Sequence, residues 1–440
     1  MRATPLTSSV LLLLLGASTI AAAAPGKGEA LGAQAPPPRG QHANHEPGPA
    51  LSFDESLGAA AGTPMVRGLE QAGEDKREID AAIPKVFMGP QVQVLSGARV
   101  IPPATRGFEI QITATQSWSL ENYAASRGEA ARAETDLIDA RARASALEQR
   151  LAAAHAWIRL HAAERELALA EAELALANEL VATHELGQRE GVVTRSALAD
   201  ARARAAEAEA VVIDMVGRVH DLGLELGRET GADGRAPLRT QGDYPDPQLP
   251  SEDELRKRFD QVDALPRVAV ARLQARANRA HATEAKAAKA SSMNAGFSVQ
   301  RESAGDLVLF GVLGAQVGID RGQREQGTAL AAAREADAEA ETAMLQLSAT
   351  LTIALHDLHH TQERVVVLRD HTLPALDELV AARAEALELG EGTLASLLEA
   401  RSRRSAVARE LSGAEADSVW ARVEVWLYLE AFEQAEQEGA

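Results

Sequence analysis

The sequence predicts a mainly α-helical protein with a small β part, folded as two similar halves of long antiparallel helical hairpins, each half with a β-hairpin. Three observations carry this. Two helical runs of roughly 65 residues, 119–184 and 322–386, contain almost no proline. Short alternating segments precede each of them. The turn "GVVTRSALADA" at 191–201 returns as "GEGTLASLLEA" at 390–400, an offset of 390 − 191 = 199 residues.

Composition supports long helices over a thick core. Hydrophobic residues make up 46% of the 440 residues, but aromatics only 3%, and much of the apolar total is alanine. Small residues let helices approach closely and favour the helical backbone. The net charge of −19 argues against a nucleic-acid partner. With no cysteine there is no disulfide, catalytic thiol, thiolate metal site or lipidated cysteine, so no lipid anchor is expected.

Taken in order, residues 1–24 read as a secretory signal: Arg2, a short apolar stretch, then "AAAAPG" with cleavage near Ala23 or Ala24. Residues 25–50 are rich in Pro and Gly and read as a disordered leader. The first half, 51–227, opens with a helical stretch that should stop at Ile83-Pro84. "QVQVL" and "FEIQITATQSW" follow as strands, with Phe108, Ile110 and Ile112 on one face, joined by a turn holding Pro102, Pro103 and Gly107. The run at 119–184 would extend on the order of 100 Å at ~1.5 Å per residue. A turn at 187–191 then sends a second helix back to about Gly227.

Residues 228–250 read as a plain linker dense in Gly, Pro and Asp. The second half, 251–432, repeats the order. Ser251 and Glu254 form a capping box opening a helix that runs to about Ala290. "NAGFSVQRE" and "LVLFGVLGAQVGID" are the second strand pair. The next helical run is expected to break only around 371–374, before the Gly390 turn, a return helix to about Phe432 and a tail at 433–440. "SRGEA" at 126–130 and "DRGQR" at 320–324 mark the strand-to-helix passage in each half, 322 − 128 = 194 residues apart.

No later segment reaches 18 consecutive apolar residues, so an exported chain of this kind enters a membrane only as a barrel. Four strands cannot close one, because a transmembrane barrel needs at least about eight. Three copies would supply twelve, with their helices forming a tube around the same axis.

The entry helix "LSFDESLGAAAGTP", the junction "VGIDRGQRE" and the turns "EGVVTRSALADARAR" and "LGEGTLASLLEARSRR" together resemble the TolC-like family of outer-membrane efflux channels, across about residues 51–432. The resemblance implies a homotrimer with an outer-membrane barrel in contact with lipid and a long periplasmic helical tunnel. It also implies a tip that docks a periplasmic adaptor, which links the channel to an inner-membrane pump. The chain departs from the family pattern at three points: "SSMNAGFSV" lacks the usual proline, no aromatic girdle is evident, and no cysteine follows the signal. The expected function is a passive exit duct for small molecules or metal ions, without enzymatic chemistry or cofactor. The alternative is a periplasmic coiled-coil adaptor or envelope scaffold, which the two strand pairs disfavour.

Candidate residues concentrate at the turns. Gly191, Gly390 and Gly392 permit tight reversals, and with Thr194 and Thr393 they form the expected adaptor contact. Asp200 and Glu399 occupy equivalent places just above each turn and would form acidic rings in a trimer, favouring cations. By the resemblance, the family's tip acids fall on Ser396 and Glu399, and the tyrosine and arginine of latched tips fall on Leu387 and Gly392. "HDLHH" places His356, His359 and His360 at metal-ligand spacing. A duct gains little from holding its cargo, so no metal is expected to be resident.

Overall fold

In the computed structural model, the described residues are 48–82, 90–101, 105–119, 121–234, 236–302, 306–317 and 322–439. The signal, nearly all of the leader, the Ile83-Pro84 stop, the Pro102-Pro103 turn and part of the "VGIDRGQRE" junction lie outside them.

The entry segment forms two helices rather than one, α1 (Phe53–Ala61) and α2 (Pro64–Ala81). The cause is local: Gly62 caps the first, and Pro64, which has no N–H to lose, starts the second. Strands β2 (Gln91–Ile101) and β3 (Thr105–Ser119) precede α3 (Tyr123–Arg189), a helix of 67 residues, and α4 (Arg195–Glu229) returns alongside it. Gly128 therefore lies within α3, whereas Gly322 caps the equivalent helix with φ 65°, so the two "RG" marks are not structural equivalents.

The segment read as a plain linker is partly structured. Its strand β4 (Arg239–Thr240) pairs in parallel with β1 (Ala50–Leu51), at the end of the expected leader. Glu164 of α3 draws β4 in, accepting from the Thr240 amide at 3.4 Å and from Arg239 at 2.9 Å. Trp157 Nε1 donates to the Leu51 carbonyl at 2.9 Å. These side-chain contacts from α3 are long-range in sequence, so no local pattern announces the strand pair.

In the second half, the Ser251 amide donates to Glu254 Oε2 at 3.0 Å and opens α5 (Glu252–Phe259). A further helix, α6 (Pro266–Ala288), starts at Pro266 instead of continuing α5. Strands β5 (Ser292–Arg301) and β6 (Leu307–Gln316) lead to α7 (Gln323–Val366). The helix does not simply break at 371–374. A π-helical turn, Val367–Thr372, joins α7 to α8 (Leu373–Glu388). Pro374 offers no N–H and crowds the carbonyl four residues back, and the widened turn relieves it. Helix α9 (Leu394–Gly439) runs past Phe432 through the expected tail.

Two large apolar clusters hold much of the helical body together. Trp157 and Leu160 of α3 pack with Phe53 and Leu57 of α1, Leu222 and Leu226 of α4, and Val423 and Leu427 of α9. Other positions of α9, Val425, Leu429 and Phe432, join Leu347 and Leu351 of α7 and the Leu255–Val268 segment. Helix α9 is thus buried on two faces. No described helix is long and apolar enough to cross a membrane.

The strands form one antiparallel sheet in the order β2-β3-β5-β6, so the two halves meet at the β3–β5 pair. The register puts Val94, Ile112, Val299 and Leu309 in one row across all four strands. Directly opposite residues share a face. The neighbouring row on that face is Val92, Ala114, Phe297 and Gly311. On the other face Thr113 and Ser298 hydroxyls bond at 2.8 Å, and Gln111 Nε2 donates to Ser298 Oγ at 2.9 Å. Ser298 is 0% exposed, whereas Val94 is 62% and Leu309 70% exposed. The apolar rows are thus the exposed ones while Thr113 and Ser298 on the polar side are covered, the reverse of a sheet packed on a soluble core, although Leu95, Val308 and Phe310 also stand 50%, 36% and 38% exposed on the polar side.

Candidate functional site

The two helix tips have the same backbone. Gly191 and Gly390 both adopt φ 77°, a left-handed conformation that costs side-chain-bearing residues about 1 kcal/mol or more. At the first tip, the Val192 and Val193 amides both donate to the Gly187 carbonyl, at 2.8 and 3.1 Å. At the second, the Glu391 and Gly392 amides both donate to the Ala386 carbonyl at 2.9 Å. Thr194 then caps α4, its hydroxyl accepting from the Ala197 amide at 3.2 Å. Thr393 does the same for the Ser396 amide at 3.3 Å. Every one of these pairs is offset by 199 residues.

Gly392 serves differently from the other two glycines. It lacks a positive φ, but a Cβ there would lie 2.9 Å from the Leu387 amide nitrogen. Close backbone approach, not handedness, requires it.

Asp200 and Glu399 are exposed, and neither makes an ion pair or side-chain hydrogen bond among the described residues. Their neighbours fix their direction. Leu198 and Ala201 are buried at 4% and 2%, and Leu397 and Ala400 at 5% and 4%. The acid in each helix is therefore turned away from its packed stripe. The structure thus gives the two acids the same setting.

The apex residues were not singled out from the sequence. Val192 is 78% and Leu389 68% exposed, and each stands beside an exposed acid across the central glycine. The first apex reads Glu190-Gly191-Val192, the second Leu389-Gly390-Glu391, so the order of acid and apolar side chain is inverted. That signal was present in the sequence, but only once the two turns are laid over one another.

Above the tips, side-chain pairs tie the hairpins. Arg202 binds Glu185 at 2.7 Å within the first hairpin, and Arg404 binds Asp377 within the second. Glu173 of α3 accepts from Ser405 at 3.0 Å and from Arg409 at 2.7 Å, joining one hairpin to the other. Higher still, Glu415 receives Arg165 of α3 and Arg369 of the π-turn, each at 2.7 Å. Burial pushes the Tyr244 phenol, beside Arg165, up to about 12.

The histidine motif divides. His356 and His360 stack with ring centroids 5.8 Å apart, whereas His359 turns to Glu363, Nε2 to Oε1 3.5 Å. Among the described residues, no group of three or more His, Asp or Glu side chains is disposed to hold a metal ion.

No family model matches the chain, and no curated protein matches it in sequence. Solved structures do match. A membrane protein from Pseudomonas aeruginosa superposes with TM-score 0.65 at 17% identity, over 86% of this chain and 90% of that one. The outer membrane protein VceC from Vibrio cholerae gives 0.63 at 15% identity, over 86% and 95%. The CmeC outer membrane channel of Campylobacter jejuni gives 0.65 at 13% identity, over 86% and 85%. At these identities the likeness speaks for architecture, which it covers nearly end to end. The chain has a TolC-like fold.

Proposed function

We propose that this chain is the outer-membrane channel of a tripartite efflux or secretion system, a passive duct from periplasm to exterior. The observation that carries the reading is the inverted sheet, with Ser298 sealed on the polar face and Val94 and Leu309 exposed on the other. An outward apolar face suits lipid, and an inward polar face suits a water-filled lumen.

The outer edges of the sheet, β2 and β6, have no partner strand among the described residues. Exposed edges invite pairing, and three copies joined edge to edge give twelve strands. The long helices below then form a periplasmic tunnel. Its tips, with an apolar side chain and an acid at each apex, engage a periplasmic adaptor, and the adaptor connects the duct to an inner-membrane pump that supplies the energy. Asp200 and Glu399 line the mouth as acidic rings. The channel performs no chemistry, and the cargo is small molecules or metal ions.

The test is the native mass of the protein extracted in detergent from an outer-membrane fraction. Three chains per particle, with conductance in planar bilayers, is the expected result. A soluble periplasmic monomer or dimer would overturn it in favour of an adaptor or scaffold.

A further inference from the structure

The "HDLHH" motif of α7 is used neither by the sheet nor by the tips. His356 and His360 stand one turn apart with ring planes 8° from parallel, both exposed. Neither ring makes a hydrogen bond or ion pair among the described residues. Other histidines of the chain are engaged. His161 stacks on Trp157 at 5.0 Å and bonds Thr240 at 3.0 Å, and His155 packs on Trp420 at 4.7 Å. His184 Nδ1 lies 3.1 Å from the Ala197 carbonyl, and His281 sits 2.6 Å from Glu134. Among the described residues, only at 356 and 360 do two imidazoles face one another with all four nitrogens uncommitted.

We propose that His356 and His360 form a chelating site for a divalent transition metal of the Zn2+ or Ni2+ type. A neutral imidazole offers a nitrogen lone pair to such an ion at about 2.0–2.1 Å. Side chains four residues apart on a helix have their Cβ atoms roughly 5–6 Å apart. Rotation about the side-chain torsions alone therefore brings one nitrogen of each ring to a shared ion, with no backbone movement. Mg2+ and Ca2+ prefer sets of oxygen ligands and would not be held. Glu363 stands one turn beyond His360 on the same helix. Its present partner, His359, is exposed and 3.5 Å away, a contact loose enough to yield. Water completes the coordination. The site does not depend on the duct reading.

The experiment is calorimetric titration of Zn2+ into the full-length protein in detergent near neutral pH. The variants are His356→Gln, His360→Gln, the double variant, and His371→Gln as an exposed histidine outside the pair. Wild type should show one tight event per chain. Each single variant should weaken it as much as the double does, by roughly tenfold or more, since even outer-shell partners of a metal site are worth about that. His371→Gln should leave it unchanged. A tight event that survives in the double variant would overturn the proposal. So would single variants whose losses simply add, the behaviour of independent surface histidines.

Discussion

Gly187 and Val193 close the first helix tip against each other: a Cβ on Gly187 would lie 2.5 Å from Val193 Cγ2. At the second tip the same two places hold Ala386 and Gly392, and a Cβ on Gly392 would lie 3.2 Å from Ala386 Cβ. Each tip has room for one side chain at this contact, and the two tips fill it from opposite sides. Gly187→Ala should therefore overpack the first tip by about 1–3 kcal/mol. Adding Val193→Gly should relieve the clash and give the arrangement of the second tip. Amide exchange at 188–195 reads this: faster in Gly187→Ala, slower again in the double variant. Equal exchange in wild type and the single variant would mean that the contact is not rigid.

Stability should also respond to pH through Glu424 of α9. It is half-buried with no hydrogen-bond or ion-pair partner among the described residues, and burial first, then the nearby Asp357 carboxylate, push its pKa up to about 6 from 4.5. The native state thus holds this proton more tightly than the unfolded chain does. Its contribution to stability is most favourable below 4.5 and declines as pH rises through about 6. Glu424→Gln should then raise stability by roughly 1 kcal/mol above pH ~7, after allowance for partial exposure, and change nothing in acid. Thermal melts at the two extremes check it, and a gain of equal size at both would exclude a titrating cause.

The long helices, the strand pairs and the tip turns were legible because local chemistry sets them: alanine-rich runs, period-two alternation, and glycine followed by threonine. The β1–β4 pair was not legible. Its two strands are two residues each, and its anchors, Glu164 and Trp157, lie far away in sequence. Nor did alternation alone reveal the inverted sheet. Phe108, Ile110 and Ile112 shared a face in the sequence, but that this face is the exposed one needed the register linking Ile112 to Val299 and Leu309. At the tips the acids and glycines were visible, while the exchanged apex order needed the structural overlay of Gly191 on Gly390.

The π-turn has a testable cause. Thr372 Oγ1 donates to the Val367 carbonyl, five residues back, at 3.1 Å, which fits the widened turn. Pro374 lies two residues after it, as the second residue of α8. In an α-helix interior proline costs about 3 kcal/mol relative to alanine, and the π-turn recovers part of that. Pro374→Ala should allow 367–374 to close as α-helix, slow amide exchange there and raise the melting temperature. Exchange that stays as fast as in wild type would assign the π-turn to another cause, such as the pull of Glu415 on Arg369.

The proposed role of the acids above the tips in selectivity can be tested. Glu399 and Asp200 have no ion-pair partner among the described residues and are directed away from the packed stripes Leu397–Ala400 and Leu198–Ala201. In a threefold assembly each becomes a ring of three carboxylates at a narrow mouth, where unpaired charge acts on passing ions with little screening. Glu399→Gln should lower cation preference, seen as a reversal potential closer to zero across a salt gradient in planar bilayers. Asp200→Gln tests the other ring alone, and the double variant should shift further than either. Both rings would act on the same ions, so the shifts should add only if the rings stand more than a Debye length apart, about 10 Å in 0.1 M salt. A reversal potential untouched by Glu399→Gln would remove that carboxylate from the mouth.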